Sequence, residues 1–241
     1  MSGGTSTMIE HHRNRRVDAA RYGTLDAPLS VWQAADAADL IAALLDELRP
    51  ARGPIITVDL PGWEAIPRAA RHAVVFTRDR AAATAALAAI AGAKRGLARL
   101  QPVSAPSLAT RLGAINARTG LVIASTWLLE CDGALAAAAG ALRPDGLLAF
   151  VGQGQADQAR LARLSRPRTT TVEDGNEDTP ESLGLVFAGH IVAAAPTGFD
   201  DAVASAEGRT VRSRRHGAGA RHFDVVLWRK TARAEAGGVH G

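Results

Sequence analysis

Cysteine is nearly absent from this 241-residue chain: Cys131 stands alone, so no internal disulfide can form and no cluster of thiolates can hold zinc. It reads as a small buried hydrophobe. Aromatic residues are scarce at 4%, and Lys94 and Lys230 are the only lysines among 28 basic residues, so arginine carries the net charge of +4. That modest excess leaves nucleic acid last among the partners to be expected. Long apolar runs are missing as well. The stretches 81–93 and 135–142 are alanine-rich and broken by Thr84, Gly92 or Gly140, short of the roughly 20 strongly apolar residues of a membrane span. Residues 1–16 are polar and basic, without the apolar core of about 7 to 15 residues that a secretory signal needs. A cytoplasmic location with no membrane contact is the expectation.

What is present is alanine, about a fifth of the chain, in a composition that is 47% hydrophobic and 22% charged, as in an ordinary globular domain. Residues 1–16 read as a disordered basic tail, 17–231 as one domain and 232–241 as a flexible tail. From Ser30 the apolar positions Val31, Trp32, Ala35, Ala38, Leu40, Ile41, Leu44, Leu45 and Leu48 fall on one helical face, and Pro50 with Gly53 and Pro54 ends the run, which predicts a first helix.

Short β-branched runs bounded by proline and glycine follow at 54–60, 73–77, 97–103, 121–124 and 147–151, separated by alanine-rich helical stretches. This is the spacing of βα units, and continuous apolar runs mark strands covered on both faces. Further on, 160–178 reads as an exposed connection. Thr179-Pro180-Glu181 reads as the cap of a helix running to about Ala195, and the segments 209–215 and 222–228 as an antiparallel hairpin. The fold expected is α/β, a doubly wound and mostly parallel sheet with a C-terminal antiparallel hairpin.

The leading Asp18-Ala19-Ala20-Arg21-Tyr22 and Trp32, the five βα repeats, the C-terminal hairpin and above all Leu142-Arg143-Pro144-Asp145-Gly146 before the fifth strand together resemble class I AdoMet-dependent methyltransferases over residues 18–230. Asp145-Gly146 suits a tight turn there, since Asp tolerates positive φ and Gly favours it. The resemblance implies a cofactor held at the carboxyl ends of the strands by Asp59 and Gly62, by Asp79 after the second strand and by Ser104 after the third. The motif is degenerate. In Val58-Asp59-Leu60-Pro61-Gly62-Trp63-Glu64 a single glycine remains, Pro61 lacks a donor and Trp63 brings bulk, and no carboxylate follows the third strand.

Active sites of open α/β sheets gather at that carboxyl edge. Candidate substrate contacts are Trp63, Glu64, Ser107, Ser125, Trp127 and Gln153, with Glu130 or His190 as general base, the histidine because it titrates near neutrality. Each has a structural alternative: Trp127 as core, Glu130 as solvated or capping, His190 as packing, Gly152-Gln153-Gly154-Gln155 as a turn. No metal-ligand spacing or nucleophile elbow occurs. Three functions stay open. The first is a small-molecule-modifying enzyme of specialised metabolism using S-adenosylmethionine for methyl transfer. The second is an AdoMet-independent catalyst of cyclisation or elimination in natural-product biosynthesis. The third is a non-catalytic pseudo-methyltransferase subunit docked on a protein partner or a second copy.

Overall fold

The computed structural model describes residues 15–17, 29–48, 54–61, 63, 73–91, 99–115, 119–164, 179–195 and 222–231. They form a nine-stranded sheet: β1 (Arg15–Val17), β2 (Leu29–Gln33), β3 (Ile55–Val58), β4 (Ala73–Thr77), β5 (Arg99–Pro102), β6 (Thr119–Ser125), β7 (Leu142–Gln153), β8 (Leu185–Ala194) and β9 (His222–Lys230). The spatial order is β1-β2-β8-β9-β7-β6-β3-β4-β5. Only β1 and β9 run against their neighbours. This is a mostly parallel α/β sheet with antiparallel pairing of its C-terminal strand.

Helices cover both faces. On one lie α1 (Ala37–Glu47) and α2 (Arg80–Ala91); on the other lie α3 (Ala105–Gly113), a 3-10 turn (Thr126–Glu130), α4 (Ala134–Ala141) and α5 (Gln155–Leu164). Leu40 and Leu44 of α1 are fully buried against Ile55 and Ile123, and each such side chain contributes roughly 1.5–3 kcal/mol. The opposite core joins Ile56, Val58 and Phe150 to Leu108, Leu112 and Leu161. Among the described residues no helix is long and apolar enough to cross a membrane.

Several expectations are corrected. The helix expected from Ser30 begins only at Ala37, because the Asp36 side chain accepts the Asp39 N–H at 3.0 Å and so caps it there. Val31 and Trp32 instead lie in β2, paired with β8, where β-branched and aromatic residues pack well. The helix expected from Thr179 to about Ala195 is a turn followed by β8, ten residues paired with β2 on one side and β9 on the other. That pairing on both sides satisfies the backbone of the segment, and tertiary pairing overrides the cap signature. Strand β9 pairs with β7 and β8 instead of forming a local hairpin, and 209–215 lie outside the described residues. Arg15 and Arg16, expected in the tail, belong to β1. Arg160, expected in an exposed connection, is on α5. The turn expected before the fifth strand is an irregularity within β7, whose pairing with β6 jumps from Thr119↔Leu142 to Leu121↔Leu147. Asp145 sits inside it at φ 63°.

Candidate functional site

The chain passes from β3 to β4 and β5 on one side, then crosses back to β6 and β7 on the other. Ligand crevices of open α/β sheets form at such a reversal, outside the carboxyl ends of the strands. A cleft of about 470 Å³ lies there, within the usual size of small-molecule sites. Leu60, Pro61, Trp63 and Val151 give it apolar surface. Its polar groups come from the ends of β3, β4, β6 and β7, from the 3-10 turn and from the first half of α5.

Asp59 follows β3 at φ 48°, a left-handed conformation that Asp tolerates. Its backbone N–H still bonds Phe76 O at 2.7 Å, and the bend turns its carboxylate toward the end of β4. There Oδ1 accepts the Arg78 N–H at 3.1 Å, and Oδ2 forms an ion pair with Arg78 Nε at 2.8 Å. The Arg78 guanidinium in turn lies 5.6 Å from the centre of the Trp127 ring. Asp79 caps α2: its Oδ1 accepts the Ala82 N–H at 2.8 Å, and its own N–H bonds Thr77 Oγ1 at 3.1 Å.

Across the cleft, Ser125 Oγ accepts the Trp127 N–H at 3.3 Å and starts the 3-10 turn. Trp127 is 8% exposed, so its ring is both core and cleft wall. Glu130 Oε1 is paired with Arg160 of α5, each about half exposed. Asp157, in the first turn of α5, accepts the Thr126 hydroxyl at 2.5 Å on Oδ1 and the Gln153 N–H at 2.9 Å on Oδ2. Behind Trp127 lies Cys131, whose thiol donates to Trp127 O at 3.4 Å. Burial above all, then the charges of Glu130, Asp132 and Asp59, push that thiol's pKa up, while Arg78 opposes them.

The fold thus brings Asp59, Trp63, Asp79, Ser125, Trp127, Glu130 and Gln153 to one cleft. Ser104 and Ser107 do not line it. They cap α3 together, the Ser104 N–H reaching Ser107 Oγ at 3.2 Å and the Ser107 hydroxyl donating to Ser104 O at 3.0 Å. Gly62 and Glu64 lie outside the described residues. His190 is on β8 and not in the cleft lining; its Nε2 pairs with Asp224 Oδ1 of β9 at 2.9 Å. Asp157 has no place among the expectations from sequence, Arg160 was expected only in an exposed connection, and Arg78 had no role beyond flanking Asp79. An acid three residues past Gly154 is a helix-start signal, and that was the one available pointer to Asp157. Among the described residues no group of three or more His, Cys, Asp and Glu is placed to hold a metal ion.

S-adenosylmethionine carries ammonium and sulfonium charges and a ribose diol. Among the described lining residues, four carboxylates could accept from these groups, Asp79 Oδ2 being outside the helix cap, and two guanidinium groups could meet the cofactor's own carboxylate.

No protein-family model and no curated protein matches the chain. Among solved structures it is similar to the cyclase SpnF, at 14% identity over 80% of this chain and 81% of that one, with a TM-score of 0.46. It is similar to a protein from the conversion of a disulfide bond into a thioacetal group during echinomycin biosynthesis, at 12% identity over 81% and 82% with a TM-score of 0.46. A third is a SAM-dependent methyltransferase from Methanosarcina mazei, at 14% identity over 78% and 97% with a TM-score of 0.45. At 14% identity or less, no residue role passes from these proteins to this chain.

Proposed function

We propose that the chain is a small-molecule-modifying enzyme working in this cleft, with methyl transfer from AdoMet as its reaction. One observation carries the reading: Asp59 and Asp79, the two carboxylates that the resemblance implies would hold a cofactor, open on a single cleft facing Trp127 and Glu130. Asp79 Oδ2 would accept from the ribose diol, and Leu60 and Trp63 would wall the adenosyl group. When bound, the cofactor supplies an electrophilic methyl group. The chain's own work is then orientation and proton removal. Glu130 has Oε1 held by Arg160, which leaves Oε2 to take the acceptor's proton. Trp127, clamped through its N–H to Ser125, presents a fixed apolar wall that excludes water from the acceptor.

A second reading, AdoMet-independent acid–base catalysis on the same fold, has its own support: both oxygens of Asp59 hold Arg78 and neither is free of it. Glu130 and Arg160 would then be the base and the stabiliser of developing negative charge. Isothermal titration with AdoMet and S-adenosylhomocysteine separates the two, backed by a thermal shift, since a ligand of the folded state raises apparent stability. Micromolar binding of both is the expected result. Absence of binding at millimolar ligand overturns methyl transfer and leaves the acid–base reading.

A further inference from the structure

Resting on the reading of this cleft as the functional site, we propose that the molecule it modifies is a small organic cation, a protonated or quaternary ammonium on a compact carbon frame, and that Arg78 is the built-in competitor for its place on Trp127.

The chain as a whole carries a net charge of +4. Among the described residues that line the cleft the sign is reversed, with Asp59, Asp79, Glu130 and Asp157 against Arg78 and Arg160. An anion entering it meets carboxylates on both walls, and a cation is drawn in by the same field. Just behind Trp127, burial first and then the charges of Glu130, Asp132 and Asp59 raise the Cys131 pKa, against Arg78.

A cation already sits on the aromatic wall. The Arg78 guanidinium lies 5.6 Å from the Trp127 centroid, within the distance at which a cation is attracted to a ring face. Its hold is loose, because the side chain is 61% exposed to solvent. The ring beneath it is not loose: Trp127 is packed among Leu128, Cys131 and Phe150 and anchored at both N–H and C=O. A rigid aromatic face bordered by acid and covered by an exposed, displaceable cation is the chemistry of ammonium recognition. Swinging Arg78 outward frees the ring face and leaves Asp59 to pair with the incoming charge.

The test uses tryptophan fluorescence and calorimetry on the full chain with benzyltrimethylammonium, neutral benzyl alcohol and benzoate as probes. The cation should bind about tenfold more tightly than the alcohol, and benzoate more weakly than either. Arg78→Ala should raise the cation's affinity about tenfold by removing the competitor, and Glu130→Gln should lower it severalfold. Equal binding of cation and benzoate, or an unchanged or lower cation affinity in Arg78→Ala, overturns the proposal. Circular dichroism checks that each variant folds, and the comparison of probes on the unaltered chain decides the matter without any variant. Binding of AdoMet with no preference for the cationic probe would sink this inference and leave methyl transfer standing. The opposite pair of results would do the reverse.

Discussion

Thr126 donates its hydroxyl to Asp157 Oδ1 over 2.5 Å, joining the 3-10 turn to the start of α5 across 31 positions of sequence. The other Asp157 oxygen accepts the Gln153 N–H, so one carboxylate pins the end of β7, the helix after it and the turn that carries Trp127. Asp157→Ala leaves a part-buried hydroxyl and an amide unpaired and should cost about 1–3 kcal/mol, read by urea unfolding. Asp157→Asn keeps one acceptor and should cost less. Equal stability of Asp157→Ala and the unaltered chain would refute this role.

Gly152 sits where α5 closes on β7. A Cβ there would lie 2.7 Å from Leu161 Cδ1 and 2.8 Å from Asp157 Cβ, closer than side-chain carbons approach. Gly152→Ala should push α5 off the sheet and destabilise by about 1–3 kcal/mol. It should also weaken any ligand of the cleft, since Asp157 and Arg160 move with the helix. A melting curve paired with the calorimetric titration checks both.

Asp145 has φ 63° inside the β7 irregularity, and the next residue, Gly146, has only 2.9 Å between a notional Cβ and Arg143 O. Left-handed backbone costs an L-residue roughly 1–2 kcal/mol, less for Asp, and nothing comparable for Gly. Asp145→Ala should therefore be less stable than Asp145→Gly, and Gly146→Ala less stable than both. Thermal unfolding of the three variants gives the order; any other order argues against strain at this bend.

Cys131 bears on the alkaline limit of stability. Its pKa is raised in the folded chain above the ordinary 9.0, so on passing that pH the unfolded chain loses the thiol proton while the folded chain keeps it. Stability from this group is thus whole below pH 9.0 and declines as pH climbs from there through the folded value. Cys131→Ser, which does not titrate there, should lose less stability between pH 8 and pH 10 than the unaltered chain, measured by urea midpoints. Parallel curves would refute the assignment. The thiol should also resist alkylation until the chain unfolds.

The core of this fold is legible because its strands are continuous apolar runs: Ile55–Val58 and Ala73–Thr77 have the composition of strands buried on both faces. The edges are less so. Trp32 satisfied a helical period and a strand equally, and only its pairing with Ala193 decides between them. In β8, alanine and glycine dilute the β-branched signal, and Thr179-Pro180-Glu181 imitated a helix start. Asp59, Asp79, Trp127 and Glu130 were found because they follow strands, where crevices form. Arg78 and Arg160 were not, because what gives them meaning lies 19 and 30 residues away in sequence. A charge with a distant partner leaves no periodic trace in a chain.

Among the described residues, strand β9 is the sole bridge in the sheet between β8, with β2 and β1 beyond it, and the five strands from β7 to β5. It is also the last strand of the described chain, seven of its residues zipped to β7 and nine to β8. During synthesis the two flanks must wait, each with an open edge, until His222–Lys230 emerges to seal them together. Contacts so distant in sequence make closure slow, and the waiting edges invite pairing with other chains. The protein's most vulnerable moment is therefore the interval before its keystone is made, and a chain cut short at residue 221 would be two half-sheets in search of a partner.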